Sequence, residues 1–447
     1  MLNPTILIYF YFLATHREKD GGNRGRQRYD PKRRLLNRNK EGKQLKTENT
    51  LKDNTQLSHA PPPTNYEGPF PTYFTCRHTY EETLMQEIAR KLPTVSTSSP
   101  LPGLVRAENI DVSSALREPI YALQELPECR IATVSESIKG LAREIVEAEK
   151  FEEKLRQAPK GSLKIHALVP GMCKGQKEPL LKRRCSLVAD AVLEILKKKF
   201  PAARNAGSGE SEEIWLLQIL LLTPDTAAAS LSQCQRSLNF PSRFWPNPSY
   251  PLGLANVDIE SKMPSSAYRK LLEALACWGI QPSPQDTVVD LGASPGGWTA
   301  ALVLLCQCRV IAVDRSSLDP RLMNNLLVTF VKGDAFTYEP PNGVADWMVS
   351  DIIAYPERVS ELLDLWCGRG MAKNMVVTVK FQGETPSWEA LDSAIRVAQN
   401  HGYDACAKHF FNNKNEVTLM IQDKNEPGVL DTVRDIEPTY KVAWPKS

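Results

Sequence analysis

Two lysines and two carboxylates in the C-terminal half of the chain, Lys270, Asp351, Lys380 and Glu416, have the chemistry to take a proton from a weakly acidic hydroxyl. A lysine serves as a base once neighbours and desolvation bring its pKa down from roughly 10.4 toward neutrality, and a second cation contributes to that lowering. In such a set Lys380 is the base. Lys270 depresses its pKa or steadies the incipient alkoxide, while Asp351 and Glu416 orient the lysines and the hydroxyl. Taken singly, Lys270 and Glu416 read as surface residues. Lys380, however, closes an apolar strand beside carboxylates, a placement that is costly unless the charge is paired or functional.

A second constellation lies between the first two of these residues. The run from Val288 to Thr299 is an apolar strand entering a turn with Asp290, Gly292, Ser294, Pro295, Gly296, Gly297 and Trp298, and a helix is expected from Trp298 to about Cys306. Three glycines in six residues leave positions where the main chain can approach a small molecule, and the free N–H groups of the helix face the turn. A Walker loop would need Gly-Lys-Ser/Thr and a dinucleotide loop G-x-G-x-x-G; neither is present. Asp314, at the end of the next apolar run (308–313), stands at the spacing of a carboxylate that binds ribose hydroxyls. The pair fits a nucleoside, and without phosphate-binding chemistry the reading is S-adenosylmethionine.

The elements that must position these residues are legible from Ser265 onward, where helix and strand patterns alternate as in a doubly wound parallel α/β sheet. Seven strands are expected at 287–291, 309–313, 327–331, 346–350, 375–379, 404–409 and 416–421. Ligands of such sheets bind at the carboxyl ends of the parallel strands. Asp351 and Lys380 each follow a strand and so fall on that rim. The connection 411–415 is too short for a helical crossover, so the last strand should run antiparallel and bring Glu416 to the same rim. Lys270 lies on a helix expected over Ser266 to Trp278, at the edge of the site.

The stretch Asp-Leu-Gly-Ala-Ser-Pro-Gly-Gly-Trp-Thr at 290–299 resembles the first motif of FtsJ-like RNA 2′-O-methyltransferases. The resemblance implies a Rossmann-like methyltransferase sheet, S-adenosylmethionine as methyl donor, and a Lys-Asp-Lys-Glu catalytic tetrad that falls on Lys270, Asp351, Lys380 and Glu416. It further implies that Asp334, in Gly333-Asp334, contacts adenine, and that Asp351 also borders the cofactor. Ser294 departs from the family, which often has Ala or Cys there. Thr75-Cys76-Arg77 with its following helix, a middle region similar to THUMP RNA-binding domains, and Tyr250-Pro251-Leu252-Gly253 together look like the RlmM-type branch, whose substrate is a cytidine of large-subunit ribosomal RNA.

The rest of the chain reads as support. Its 447 residues exceed one compact core, and a net charge of +3 leaves nucleic-acid binding to be judged from clusters of basic residues. A basic tail is expected over 1–65, a small α+β domain over 66–127, a THUMP-like domain over 128–236, a Pro/aromatic linker over 237–264, the methyltransferase domain over 265–425 and a tail over 426–447. Within these, the reading places a loop at Thr97 to Pro102, one helix from about Ile138 to Leu155, a strand at Leu163 to Val169, a helix at Leu180 to Phe200 and a strand at Ile214 to Leu222. Lys182, Arg183, Arg184 and Lys197, Lys198, Lys199 form either a solvated helix face or a surface for RNA phosphates.

The apolar opening at 5–14 is short of the roughly 20 residues that span a bilayer. Ten cysteines without a C-x-x-C pair suggest a reducing, intracellular compartment and no metal site. Competing readings are a 2′-O-methyltransferase of transfer RNA or capped messenger RNA, and an RNA-binding scaffold with an inactive catalytic domain. The intact loop and tetrad weigh against the scaffold.

Overall fold

Strands buried on both faces read as near-continuous apolar runs, and helices packed on those faces complete the layers. In a computed structural model of the chain, the second half forms one sheet of seven strands: β1 Thr287–Leu291, β2 Arg309–Asp314, β3 Val328–Lys332, β4 Ala345–Ser350, β5 Ala372–Lys380, β6 Tyr403–Lys408 and β7 Glu416–Asp423. Their order is β3-β2-β1-β4-β5-β7-β6, with β7 antiparallel to both neighbours and the remaining pairs parallel. The structure describes residues 70–425 apart from 109, 111–118, 149, 170–178, 205–212, 237–243, 258–259 and 384, together with Ile6–Ile8 and Thr439–Tyr440. The basic run of the expected N-terminal tail lies outside the described residues.

Because side chains alternate across a strand, the sheet serves two cores. Val289, Leu291, Met348, Met375 and Val377 face α4 (Pro356–Gly368) and α5 (Trp388–Asn400). Val288, Val310, Trp347, Val349 and Val376 face α1 (Tyr268–Trp278) and α2 (Gly297–Ala301). The helix expected to Cys306 is α-helical only to Ala301 and continues as a π-helical turn, Leu302–Cys306.

Ahead of this sheet, an antiparallel four-stranded sheet runs in the order Thr97–Leu101, Leu104–Ala107, Thr72–Thr75, Gln124–Leu126. The helix Glu81–Lys91 packs on it, and its core residues Phe74, Leu84, Ile88 and Tyr121 join the same cluster as α4 and α5. The first expected domain thus shares a core with the methyltransferase sheet. A further sheet contains Arg130–Thr133, Leu163–Leu168, Ile214–Thr223 and Thr226–Arg236, with Ile6–Ile8 and Phe244–Trp245 at its ends, and the helix Pro179–Lys199 belongs to this region.

Several expectations are corrected. The stretch read as a Ser/Pro loop is the strand Thr97–Leu101; it lies at the sheet edge, where a proline is tolerated, and its register shifts between Ser98 and Leu101. The single helix expected to Leu155 is two, Ile138–Val146 and Phe151–Gln157, because Lys150 has a φ of 65° and breaks the helical path. Thr226–Arg236 is a strand that was not anticipated. The segment read as a linker contributes Asn256–Val257, paired in parallel with Thr439–Tyr440 from the expected C-terminal tail. Among the described residues, no helix is long and apolar enough to cross a membrane.

Candidate active site

Gly292, at φ 75°, turns the chain out of β1, and its N–H donates to Val313 O at 2.9 Å, fastening the loop across the end of β2. Gly296, at φ 106°, takes a backbone conformation that L side chains rarely adopt, and a Cβ there would fall 2.2 Å from Leu322 Cδ1, whose side chain would have to shift. The Asp314 carboxylate closes the turn by accepting Ser294 N at 2.9 Å and Ser316 N at 2.7 Å. Trp298 donates its indole N–H to Ala267 O at 2.9 Å and so ties the loop to the start of α1.

The resulting cleft, about 380 Å³, lies within the range of small-molecule sites. Asp290, Gly292, Ser294, Pro295, Gly297, Trp298, Asp314, Asp351 and Lys380 line it; Ser265, Ala267, Ala293, Ile352 and Ile353 line it as well. Gly296 and Asp334 are not among its lining residues. Asp334 instead accepts Phe336 N at 3.0 Å and pairs with Arg315 at 2.6 Å, and these, the Phe336 bond foremost, hold its carboxyl below the usual range. Asp290 is 1% exposed and accepts Thr299 Oγ1 at 2.6 Å. Burial, joined by the charges of Asp351 and Asp314, pushes its carboxyl from 3.8 up to about 7 against the Thr299 bond.

Beside the cleft the four expected residues meet. Lys270 Nζ lies 2.7 Å from the Asp351 carboxylate and 2.9 Å from Glu416 Oε1. Lys380 Nζ is 3.1 Å from Asp351 Oδ1 and donates to Asp351 O at 2.6 Å. The β5–β7 register puts Lys380 opposite Glu416, and the Ser350 hydroxyl donates to Leu291 O at 3.0 Å, fixing the end of β4 against β1. Thr378 Oγ1 donates to Asp351 Oδ1 at 2.8 Å, a support that no sequence pattern signals. The two lysines are not equivalent: the Lys270 side chain is 9% exposed and clasped by two carboxylates, whereas that of Lys380 is 21% exposed and lines the cleft.

The FtsJ-like methyltransferase family matches residues 263–367. This part of the chain is an FtsJ-like methyltransferase domain. The matched span holds the loop, Lys270 and Asp351, while Lys380 and Glu416 lie beyond it on β5 and β7. Three relatives carry the name ribosomal RNA large subunit methyltransferase M. The protein from Thauera aminoaromatica is 28% identical over 77% of this chain and 94% of its own length. Those from Laribacter hongkongensis and Marinomonas sp. are 30% and 32% identical over 51% and 39% of this chain, matches that span 63% and 53% of their own lengths.

The methyl donor of the methyltransferase domain is S-adenosylmethionine, and the residues fit it. The tetrad's two cations offset its two anions, so Asp314, joined by Asp290 once that carboxyl ionises, leaves the cleft negative. That suits a cationic sulfonium carrying an ammonium tail, bound where main chain rather than side chain forms one wall.

Two outcomes are expected. Asp290 keeps a proton in the folded chain between about pH 4 and 7 that the unfolded chain has released, so its contribution makes folding less favourable as pH rises through that window. Asp290→Asn should therefore gain thermal stability relative to the native residue as pH is raised, and a difference in Tm independent of pH would contradict the assignment. Asp314→Ala should weaken S-adenosylmethionine binding by about tenfold or more, since it removes a carboxylate that also holds the loop; calorimetry returning an unchanged Kd would exclude that role.

Proposed function

We propose that the chain is an S-adenosylmethionine-dependent RNA 2′-O-ribose methyltransferase acting on large-subunit ribosomal RNA, on a cytidine as in the RlmM type. The linked set Lys380–Asp351–Lys270–Glu416 at the cleft carries this reading. S-adenosylmethionine supplies an electrophilic methyl group. Lys380, the lysine open to the cleft, takes the proton of the 2′-hydroxyl as its oxygen attacks. Asp351 holds both lysines, Thr378 fixes the Asp351 carboxylate, and Glu416 keeps Lys270 in place, where its ammonium stabilises the developing oxyanion. Asp290 and Asp314 hold the cofactor. Asp334 is paired with Arg315 outside the cleft lining, and its contact with adenine rests on the resemblance alone.

The relatives' names support the ribosomal substrate. The middle region, 128–236, is proposed as the THUMP-like RNA-binding part. Its basic helix divides into two roles: Arg184 pairs with Asp225 at 2.9 Å and so braces the turn before Thr226–Arg236, whereas Lys198 and Lys199 are exposed. Those two are the better candidates for phosphate contacts.

Lys380→Ala should abolish ribose methylation and leave the cofactor Kd within about threefold, because Lys380 makes no contact that shapes the glycine loop. Mapping 2′-O-methylation across total RNA from cells carrying either form should show one large-subunit site missing; full methylation with the alanine form would remove Lys380 as the base. Replacing Lys198 and Lys199 together by Glu should lower RNA affinity and reduce the salt slope by about one to two. An unaltered slope would mark those lysines as a solvated face.

A further inference from the structure

The turn joining β6 to β7 is held from two sides by residues outside the tetrad. Tyr80, the residue that opens the helix Glu81–Lys91 packed on the N-terminal sheet, donates its phenol O–H to Lys414 O at 2.5 Å, and its ring lies 4.1 Å from the His409 imidazole. His409 packs equally against Tyr121, with ring centroids 4.8 Å apart, and its main-chain N–H donates to Ile120 O at 2.8 Å. Its Nε2 lies 3.0 Å from the same Lys414 carbonyl, which can only accept, so the imidazole carries its proton there. Burial lowers His409 to about 4, so the ring is neutral at physiological pH.

From the other side, Glu273 lies one turn along α1 from Lys270 and accepts Asn412 N at 2.8 Å. Two residues beyond Lys414 the chain reaches Glu416, whose Oε1 also lies 3.4 Å from Lys414 N. The turn is therefore gripped at Asn412 by the helix that carries Lys270, and at Lys414 by the N-terminal sheet, immediately before it delivers a carboxylate to Lys270.

We propose that Tyr80 and Glu273 are positioning residues for Glu416, and that the N-terminal sheet, through Tyr80, is part of the active-site framework as well as a neighbour of the RNA-binding region. This rests on the catalytic reading of the tetrad given above. Neither residue is among those lining the cleft. Each acts through the 409–415 turn, and a carboxylate displaced by about 1 Å from its partner is enough to slow a reaction by about a hundredfold.

The test compares Tyr80→Phe, which keeps the ring stack but loses the bond to Lys414, with Glu273→Leu, which removes the acceptor of Asn412, and Glu273→Gln, which keeps one. In the full-length protein, Tyr80→Phe and Glu273→Leu should lower kcat for RNA methylation by about ten- to a hundredfold, with KM for RNA and Kd for S-adenosylmethionine within about twofold. Glu273→Gln should stay near the native rate. Amide hydrogen exchange across 409–416 should quicken in Tyr80→Phe and Glu273→Leu but not in Glu273→Gln, and this readout needs no activity. Native kcat in Tyr80→Phe and Glu273→Leu, unchanged exchange in the turn, or a parallel loss of cofactor affinity would each overturn the proposal. A native protein that leaves RNA unmethylated while the turn exchanges as expected would instead tell against the catalytic reading and uphold the positioning.

Discussion

The ammonium of Lys270, buried between Asp351 and Glu416, is the constraint on which the rest of the site depends. Its two partners lie 81 and 146 residues away along the chain. A charge this enclosed is tolerable only if both carboxylates stand in place, since removing one partner of a buried pair costs about 3–5 kcal/mol. The sheet meets that demand through topology. Asp351 directly follows β4, β5 ends at Lys380, and the reversal of β7 starts that strand at Glu416, so three strand termini converge on one helix. A one-residue slip between β5 and β7 would turn Glu416 to the opposite face and leave Lys270 with a single partner. Register and chemistry are thus the same requirement.

The cofactor side is fastened to the same helix. Trp298 links the glycine loop to Ala267, three residues before Lys270, and Asp314 pins Ser294 and Ser316 around the turn. Displacing α1 would disturb the loop and the tetrad together. This coupling suits a transfer in which the methyl group and the attacking oxygen must be aligned, because misplacement of either partner is penalised alike.

The central strands β1, β4, β5 and β7 were legible because they are buried and read as largely apolar runs, while β3 and β6 at the sheet edges carry a weaker, more exposed pattern. Asp351, Lys380 and Glu416 stood out as charges at the ends of strands, and Lys270 as a charge on the helix beside them. The strand Thr226–Arg236 escaped because its start, Thr-Ala-Ala-Ala-Ser, has no strand-like alternation and is held by pairing with Ile214–Thr223 and Arg130–Thr133. Thr97–Leu101 escaped because Ser and Pro signal a loop unless a neighbouring strand supplies the pairing. Thr378 gave no signal because one hydroxyl in a strand has no pattern. Tyr80 and Lys414 stand 334 residues apart, and only the folded chain brings them together.

The distribution of burial separates what holds the fold from what performs chemistry. The apolar clusters on either face of the sheet, one of them continuous with the N-terminal sheet, supply the favourable burial. Asp290, Lys270 and Glu416 do the reverse, since each places an ionisable group in the interior, and for Asp290 burial is the dominant influence on its carboxyl. An apolar residue in their places would pack without that cost. Their burial is what the proposed roles in cofactor binding and proton transfer would require. A cation bound in the cleft favours the ionised form of Asp290, so the electrostatic cost of burying this carboxylate in the empty protein is offset when the cofactor binds. On the proposed cofactor role of Asp290, a neutral nucleoside of equal shape would leave that carboxyl either protonated or uncompensated and would bind less tightly.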